Sequence, residues 1–326
     1  MNEADRIRTA SLAENELVIA TDLGGTNLRT ATIDSEGRIH ERTKQRTPKA
    51  AQPEEIVNAI VAAARECESH ERGAKVGAVS VVVPGTVRAD EGVVMKVPNI
   101  PCLDDFRLAD ALRDELQWPA VIENDANAAA VGEMWKGAGR GRKSIIMITL
   151  GTGVGGGVIL DGKLWRGIDG SAGELGHIGV EPFGGVHCPC GSVGCLEVYA
   201  SATAIVRQAR EMLSRYPDSP LKTIEDLTAA SVYQSGEEGD ELALEVFRQM
   251  GTYLGIGLAS LINIFNPEVI VIGGGAADGW DLFIPHVREQ VTKRAFKIPA
   301  ERAEIVRAER GDDAGLLGAA HIAFAE

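Results

Sequence analysis

Short apolar runs alternate with glycine-rich turns and with stretches of helical spacing along this chain. Residues 17–20 form an apolar run that leads into Asp22-Leu23-Gly24-Gly25-Thr26-Asn27. A second extended run, 28–33, follows, and Asp34-Ser35-Glu36-Gly37 has the composition of a turn before a third. The pattern predicts a meander of strand, loop, strand, turn and strand. Residues 53–67 repeat apolar positions at helical spacing, with Ile56, Ile60 and Val61 followed by Ala63 and Ala64. The unbroken run at 76–83 suits a strand covered on both faces. A helix is predicted over 104–116 and a short strand over 120–122.

From Ser144 the opening pattern returns. An apolar strand at 145–148 runs into a glycine loop at 151–157, a returning strand at 158–160 and the turn Asp161-Gly162. At an offset of 127 residues Gly24 falls on Gly151 and Asp34 on Asp161. Shared order, more than any single match, points to a duplication. The expected fold is α/β: two related domains, each presenting a phosphate-facing hairpin to a shared cleft. The second half adds a glycine- and cysteine-rich insert near 170–197 and helices at 201–215 and 239–265. A strand at 269–272 ends in Gly273-Gly274-Gly275, and helices at 281–296 and 313–325 follow.

Length and composition narrow the class. At 326 residues the chain suits two domains, and 44% apolar with 25% charged residues is ordinary for a globular protein. A formal net charge of −14 argues against nucleic acid or an anionic membrane as the main partner. The polar opening, 1–16, does not resemble a signal peptide, and the apolar run 253–265 is too short to span a bilayer. A cytoplasmic location is expected, where thiols stay free or bind metal.

Several constellations carry chemistry. Gly24 and Gly25 would let backbone amides approach an anion, Thr26 adds a hydroxyl, and Asp22 could organise Mg²⁺ through water. A plain hairpin turn is the alternative. Five glycines between 151 and 157 make a poor strand by propensity, which favours close approach of a ligand there. Neither loop fits the P-loop pattern, and Gly273–Gly275 lacks dinucleotide spacing. Asp125, within Glu123-Asn124-Asp125-Ala126-Asn127, reads either as a helix N-cap or as a general base for phosphoryl transfer to a hydroxyl. Asn124 and Asn127 offer donors and acceptors beside it. His177, Cys188, Cys190 and Cys195 make a complete Cys₃His set for a closed, structural Zn²⁺. Glu174 and Glu197 flank it, as surface charge or as partners of a polyhydroxylated ligand.

These motifs resemble the ROK family (repressors, ORFs, kinases) of the sugar-kinase and actin-like superfamily. The resemblance runs from about Leu17 onward. It rests on D-L-G-G-T-N, Pro84-Gly85, E-N-D-A-N, G-T-G-V-G-G-G, Glu174-Leu175-Gly176-His177, C-P-C-G-S-V-G-C-L-E at 188–197 and G-D-D-A-G-L-L-G-A-A near residue 311. It implies a duplicated actin-like, ribonuclease H-like two-domain sugar kinase with a central cleft, using ATP, Mg²⁺ and a structural Zn²⁺. Asp125 would be the base acting on a hexose 6-hydroxyl. Asn99, Asn124, Glu174, His177 and Glu197 would bind sugar hydroxyls, His177 also ligating zinc. Asp22, Gly24, Gly25, Thr26, Asn27, Thr152 and Gly153 would face the phosphates, and Gly273, Gly274 and Gly275 the adenosine. Asn27 stands where many members carry lysine. The implied lobes are 1–125, rejoined by 313–326, and 126–312, and a homodimer or homotetramer is expected.

Repressors of the family carry a DNA-binding domain ahead of the first loop, and the 21 residues before Asp22 are too few and not basic. An actin-like chaperone would not need the zinc and sugar cluster. The first and last motifs resemble those of glucose-phosphorylating members. N-acetylmannosamine, N-acetylglucosamine, mannose and fructose are the other sugars to separate.

Overall fold

The structure is a computed structural model that describes Leu12, 16–71 and 75–325; the rest of the polar opening lies outside the described residues. The chain divides into two compact units. The first comprises 1–141, 157–172 and 309–326, and the second 142–156 and 173–308. The first break thus falls after Gly141 rather than after Asp125. That keeps α3 (Asp125–Lys136) with the strand that precedes it.

In the first unit β1 (Glu16–Leu23), β2 (Asn27–Ile33) and β3 (Ile39–Arg46) form the expected meander, and α1 (Pro53–His70) leads to β4 (Lys75–Val83). Pro53 opens α1 where its missing N–H costs nothing, and Glu54 and Glu55 suit the positive end of the helix. Ile56, Ile60, Ala63, Ala64 and Cys67 give it a buried stripe. Two short strands, β5 (Thr86–Arg88) and β6 (Val93–Lys96), form an antiparallel pair that the hydrophobic pattern does not announce. The helix expected from 104 begins only at Leu108 (α2, Leu108–Leu116). Phe106 is held in a bridge to Val94, and Asp105 takes a positive φ of 57°, so helical geometry cannot start sooner. β7 (Ala120–Asn124) then runs into α3.

The sheet order is β3-β2-β1-β4-β7, with β1 antiparallel to β2 and parallel to β4. Register sets Asp22 opposite Arg29 and Val82 opposite Glu123. The run at 76–83 is buried as its composition demands, with β1 and β7 on either side. α10 (Ala314–Ala325) is apolar around its circumference and buried along almost its whole length. It meets α3 backbone to backbone: a Cβ on Gly318 would stand 1.7 Å from the Ala128 carbonyl oxygen, and one on Gly132 2.0 Å from that of Ala314.

The second sheet has the order β10-β9-β8-β11-β12, the same sequence of roles as the first. Here β8 is Ile145–Leu150, β9 Val154–Leu160, β10 Lys163–Leu164, β11 Val269–Gly273 and β12 Glu304–Arg307. β11 lies parallel to both β8 and β12, as β4 does to β1 and β7. The returning strand starts at Val154, so Gly155, Gly156 and Gly157 belong to β9 and not to a loop. Helices α4 (Glu197–Ala200), α5 (Ala202–Met212), α6 (Ala229–Glu237), α7 (Glu241–Phe265), α8 (Trp280–Arg294) and α9 (Lys297–Arg302) complete the unit. α6 and α7 are separated by Gly239 at φ 90° and by the Asp240 cap. No helix among the described residues is long and apolar enough to cross a membrane.

Candidate active site

The first glycine loop is a tight turn between β1 and β2. Gly24 N–H donates to the Asn27 carbonyl at 2.9 Å, and Thr47 ties it from behind, its hydroxyl donating to the Gly24 carbonyl at 2.6 Å. Gly25 and Thr26 are exposed, and Asn27 is half-buried. A Cβ on Gly25 would lie 3.1 Å from that of Asn99, so the bare glycine lets Asn99 pack directly on the loop. Asp22 is not free to swing: Arg29, opposite it across the strands, donates at 2.5 Å and also reaches Asp312 at 2.9 Å. Burial nevertheless pushes the Asp22 carboxyl above its usual range, the Arg29 charge opposing it.

At the end of β7, Asn124 is the N-cap of α3, its Oδ1 accepting from Asn127 N–H at 3.0 Å. The cap role weighed for Asp125 therefore falls to its neighbour. Asn124 Nδ2 donates to the Gly85 carbonyl at 2.9 Å and to Asp125 Oδ1 at 3.2 Å, so each of its polar atoms is engaged within the protein. Asp125 is the first residue of the helix, half-buried, and the Ala126 N–H donates to its Oδ1 at 2.8 Å. Asn127 is 1% exposed and donates to Glu123 at 3.0 Å, which removes it from the surface-facing set. The motif's fully buried member, Glu123, was not singled out from sequence. Its Oε2 accepts from Arg166 Nε at 2.6 Å.

In the second unit the glycines of 151–157 serve different ends. Gly151 has open space where a Cβ would go, and Thr152 is exposed. A Cβ on Gly153 would lie 2.3 Å from Glu197 Oε2, the carboxylate oxygen that accepts from Val154 N–H at 3.0 Å. Gly156 makes room for Leu175 and the Gly173 carbonyl. Gly157, already in the first unit, makes room for Ala130 and the Ala126 carbonyl. Packing thus accounts for three glycines that propensity alone assigned to a ligand. The turn after β11 opens only at its end: Gly274 takes φ 87° and a Cβ on it would stand 2.5 Å from the Leu150 carbonyl oxygen, whereas Gly275 has no neighbour at its Cβ position.

His177, Cys188, Cys190 and Cys195 converge, their ligand atoms all within 4.8 Å of one another. Cys190 and Cys195 sulfurs are 3.7 Å apart, and Cys188 Sγ is 3.6 Å from His177 Nδ1. Tetrahedral thiolates at about 2.3 Å from a zinc ion would be separated by about 3.8 Å, so the donor set fits. Burial pushes the Cys188 thiol up to about 12 and raises that of Cys195, while a backbone hydrogen bond from Ser192 lowers Cys190. A bound divalent cation would override the two upward shifts, because coordinated thiols lose their protons. His177 presents Nδ1 to this cluster and turns Nε2 toward Glu174 Oε2, at 3.9 Å.

Comparison with known proteins fits this arrangement. The ROK family model matches residues 18–326. A glucokinase from Halalkalibacterium halodurans is 39% identical over 306 residues, covering 92% of each chain. A solved ROK family glucokinase from Streptomyces griseus, in complex with glucose and AMPPNP, superposes with a TM-score of 0.80 at 36% identity, covering 95% of this chain and all of that one. A putative xylose repressor from a Caldicellulosiruptor species is 33% identical over 74% of this chain, which matches only 60% of that protein. With matching motifs, a duplicated fold and relatives aligned nearly end to end, the chain belongs to the ROK family.

Proposed function

We propose that this chain is a sugar kinase that transfers the γ-phosphoryl group of ATP to the 6-hydroxyl of a hexose, glucose being the preferred acceptor. The observation that carries the reading is the likeness, over nearly the full length of each chain, to a ROK glucokinase held with glucose and AMPPNP. Asp125 would take the hydroxyl proton as the oxygen attacks phosphorus, and ADP would leave. Phosphoryl transfer asks mainly for positioning and charge stabilisation, so one placed carboxylate suffices. Asn99, Asn124, Glu174, His177 and Glu197 would bind the sugar. Asn124 would do so chiefly by holding the turn, since its own polar atoms are engaged. Gly24, Gly25, Thr26, Asn27 and Thr152 would line the phosphates, Gly153 being given over to Glu197, and the 273–275 turn would lie near adenosine. Mg²⁺ at Asp22 would have to share the carboxylate with Arg29.

The Cys₃His set would hold Zn²⁺ and order the insert around 177–195, with no part in the chemistry. Metal analysis of protein purified without chelators should find about one zinc per chain.

A panel of glucose, mannose, fructose, N-acetylglucosamine and N-acetylmannosamine, assayed with ATP, tests the substrate. The highest kcat/KM belongs to glucose on this reading, and an N-acetylhexosamine well ahead of it would refute the preference. Absence of turnover with every sugar, together with sugar-dependent DNA binding, would move the chain to the repressor side of its family.

A further inference from the structure

Glu123 carries the least exposed carboxyl group of the Glu123–Asn127 motif, and no role in the proposed reaction uses it. Its side chain is 0% exposed, yet it sits two residues before Asp125. A carboxylate withdrawn from water in this way is costly unless its oxygens are paired. Here they are. Oε2 accepts from Arg166 Nε at 2.6 Å, and Oε1 accepts from the Asn124 N–H at 2.9 Å and from Asn127 Nδ2 at 3.0 Å. The two Oε1 donors bracket Asp125 in the chain, so this carboxylate grips the strand-to-helix turn on either side of the proposed base.

Arg166 is itself anchored. Its carbonyl accepts from Ala172 N–H at 3.1 Å, which closes the loop 166–172. Gly170, at φ 87°, lies where a Cβ would stand 2.0 Å from the Val87 carbonyl oxygen, seating that loop on β5. Gly157 completes the support by allowing β9 against the first turn of α3.

We infer that Glu123 and Arg166 form a positioning pair that holds the Asp125 carboxylate in its productive orientation. The inference rests on Asp125 being the base. Placement errors of about 1 Å can cost a hundredfold in rate without abolishing binding. Loss of the pair should therefore appear in kcat far more than in affinity.

The experiment uses the full chain, with glucose and ATP as substrates. Turnover, glucose binding by titration and thermal stability are measured for Arg166→Ala, Arg166→Lys, Glu123→Gln and the Glu123→Gln/Arg166→Ala double variant. Arg166→Ala should lower kcat by about 10- to 100-fold. Its glucose dissociation constant should stay within about threefold, and Arg166→Lys, which returns a cation, should recover much of the loss. The double variant should be no slower than the worse single one, because the two residues act as one unit. Should Glu123→Gln fail to fold, the two Arg166 variants alone decide. A kcat for Arg166→Ala within about twofold of the parent, or a loss matched by the unfolded fraction, overturns the inference. Asp125→Asn separates the two levels. Retained turnover there removes the base and the positioning role together, whereas lost turnover there with normal kcat in Arg166→Ala removes the positioning role alone.

Discussion

The two glycine loops descend from one pattern but spend their glycines differently. In the first, Gly25 is exposed and the chain is tied from behind by Thr47, so its outward side is left to Gly25, Thr26 and the adjacent Asn99. In the second, Gly153 yields to Glu197, Gly156 to Leu175 and Gly157 to α3, while Gly151 and Thr152 stay open. A glycine-dense segment therefore reports close approach without saying what approaches. Where it runs on into a strand, the neighbour is as often the protein itself.

Substitutions at these positions sharpen the contrast. The largest effect is expected at Gly157→Ala, where the new methyl would meet the Ala126 carbonyl oxygen at 2.9 Å and the Ala130 Cβ at 2.7 Å. Such overpacking costs about 1–3 kcal/mol, visible as a lower melting temperature by calorimetry. Gly153→Ala should leave the fold intact, because Glu197 is a side chain that can turn away. The displaced carboxylate would show instead as roughly a tenfold loss in kcat/KM for the sugar, equivalent to about 1.4 kcal/mol. A loss confined to the KM for ATP would return Gly153 to the phosphate loop.

A smaller effect belongs to Asp22. The folded state holds its proton more tightly than the unfolded chain does, because burial outweighs the Arg29 charge. Ionising it costs nothing below the usual carboxylate range and costs stability as pH rises through that range toward the raised native value. Asp22→Asn should therefore flatten the fall in stability just above pH 3.8 in a denaturant series. An unchanged slope would mean that the Arg29–Asp312 arrangement offsets the burial fully. Gly151→Ala is expected to change stability by no more than about 0.5 kcal/mol, since nothing lies within 4 Å of its added methyl. Any change it makes in the KM for ATP would then mark a ligand and not a packing contact.

Much of this was legible in the residue pattern. The meander around Gly24, the buried run at 76–83 and the recurrence at an offset of 127 all follow from periodicity and turn chemistry, and the two sheets repeat one strand order. The cysteine cluster was legible because thiols and imidazole at such spacing have few other uses. What the pattern hid depends on contacts distant in sequence. Glu123 reads as one more acid until Arg166, 43 residues later, is placed on it. The late start of α2 follows from a bridge between Phe106 and Val94, and β5 and β6 are too short to show a period. The role of Gly318 emerges only once α3 lies against it.

That last contact has a consequence for biosynthesis. The helix that covers α3 is made after the whole of the second unit, so α3 waits for its partner while the stretch between Lys136 and Ala314 leaves the ribosome. At ordinary rates of about 5–20 residues per second, that wait is on the order of ten to forty seconds. During it the alanine-rich face of α3, with the glycine notch at Gly132, is an uncovered apolar groove on a nascent chain.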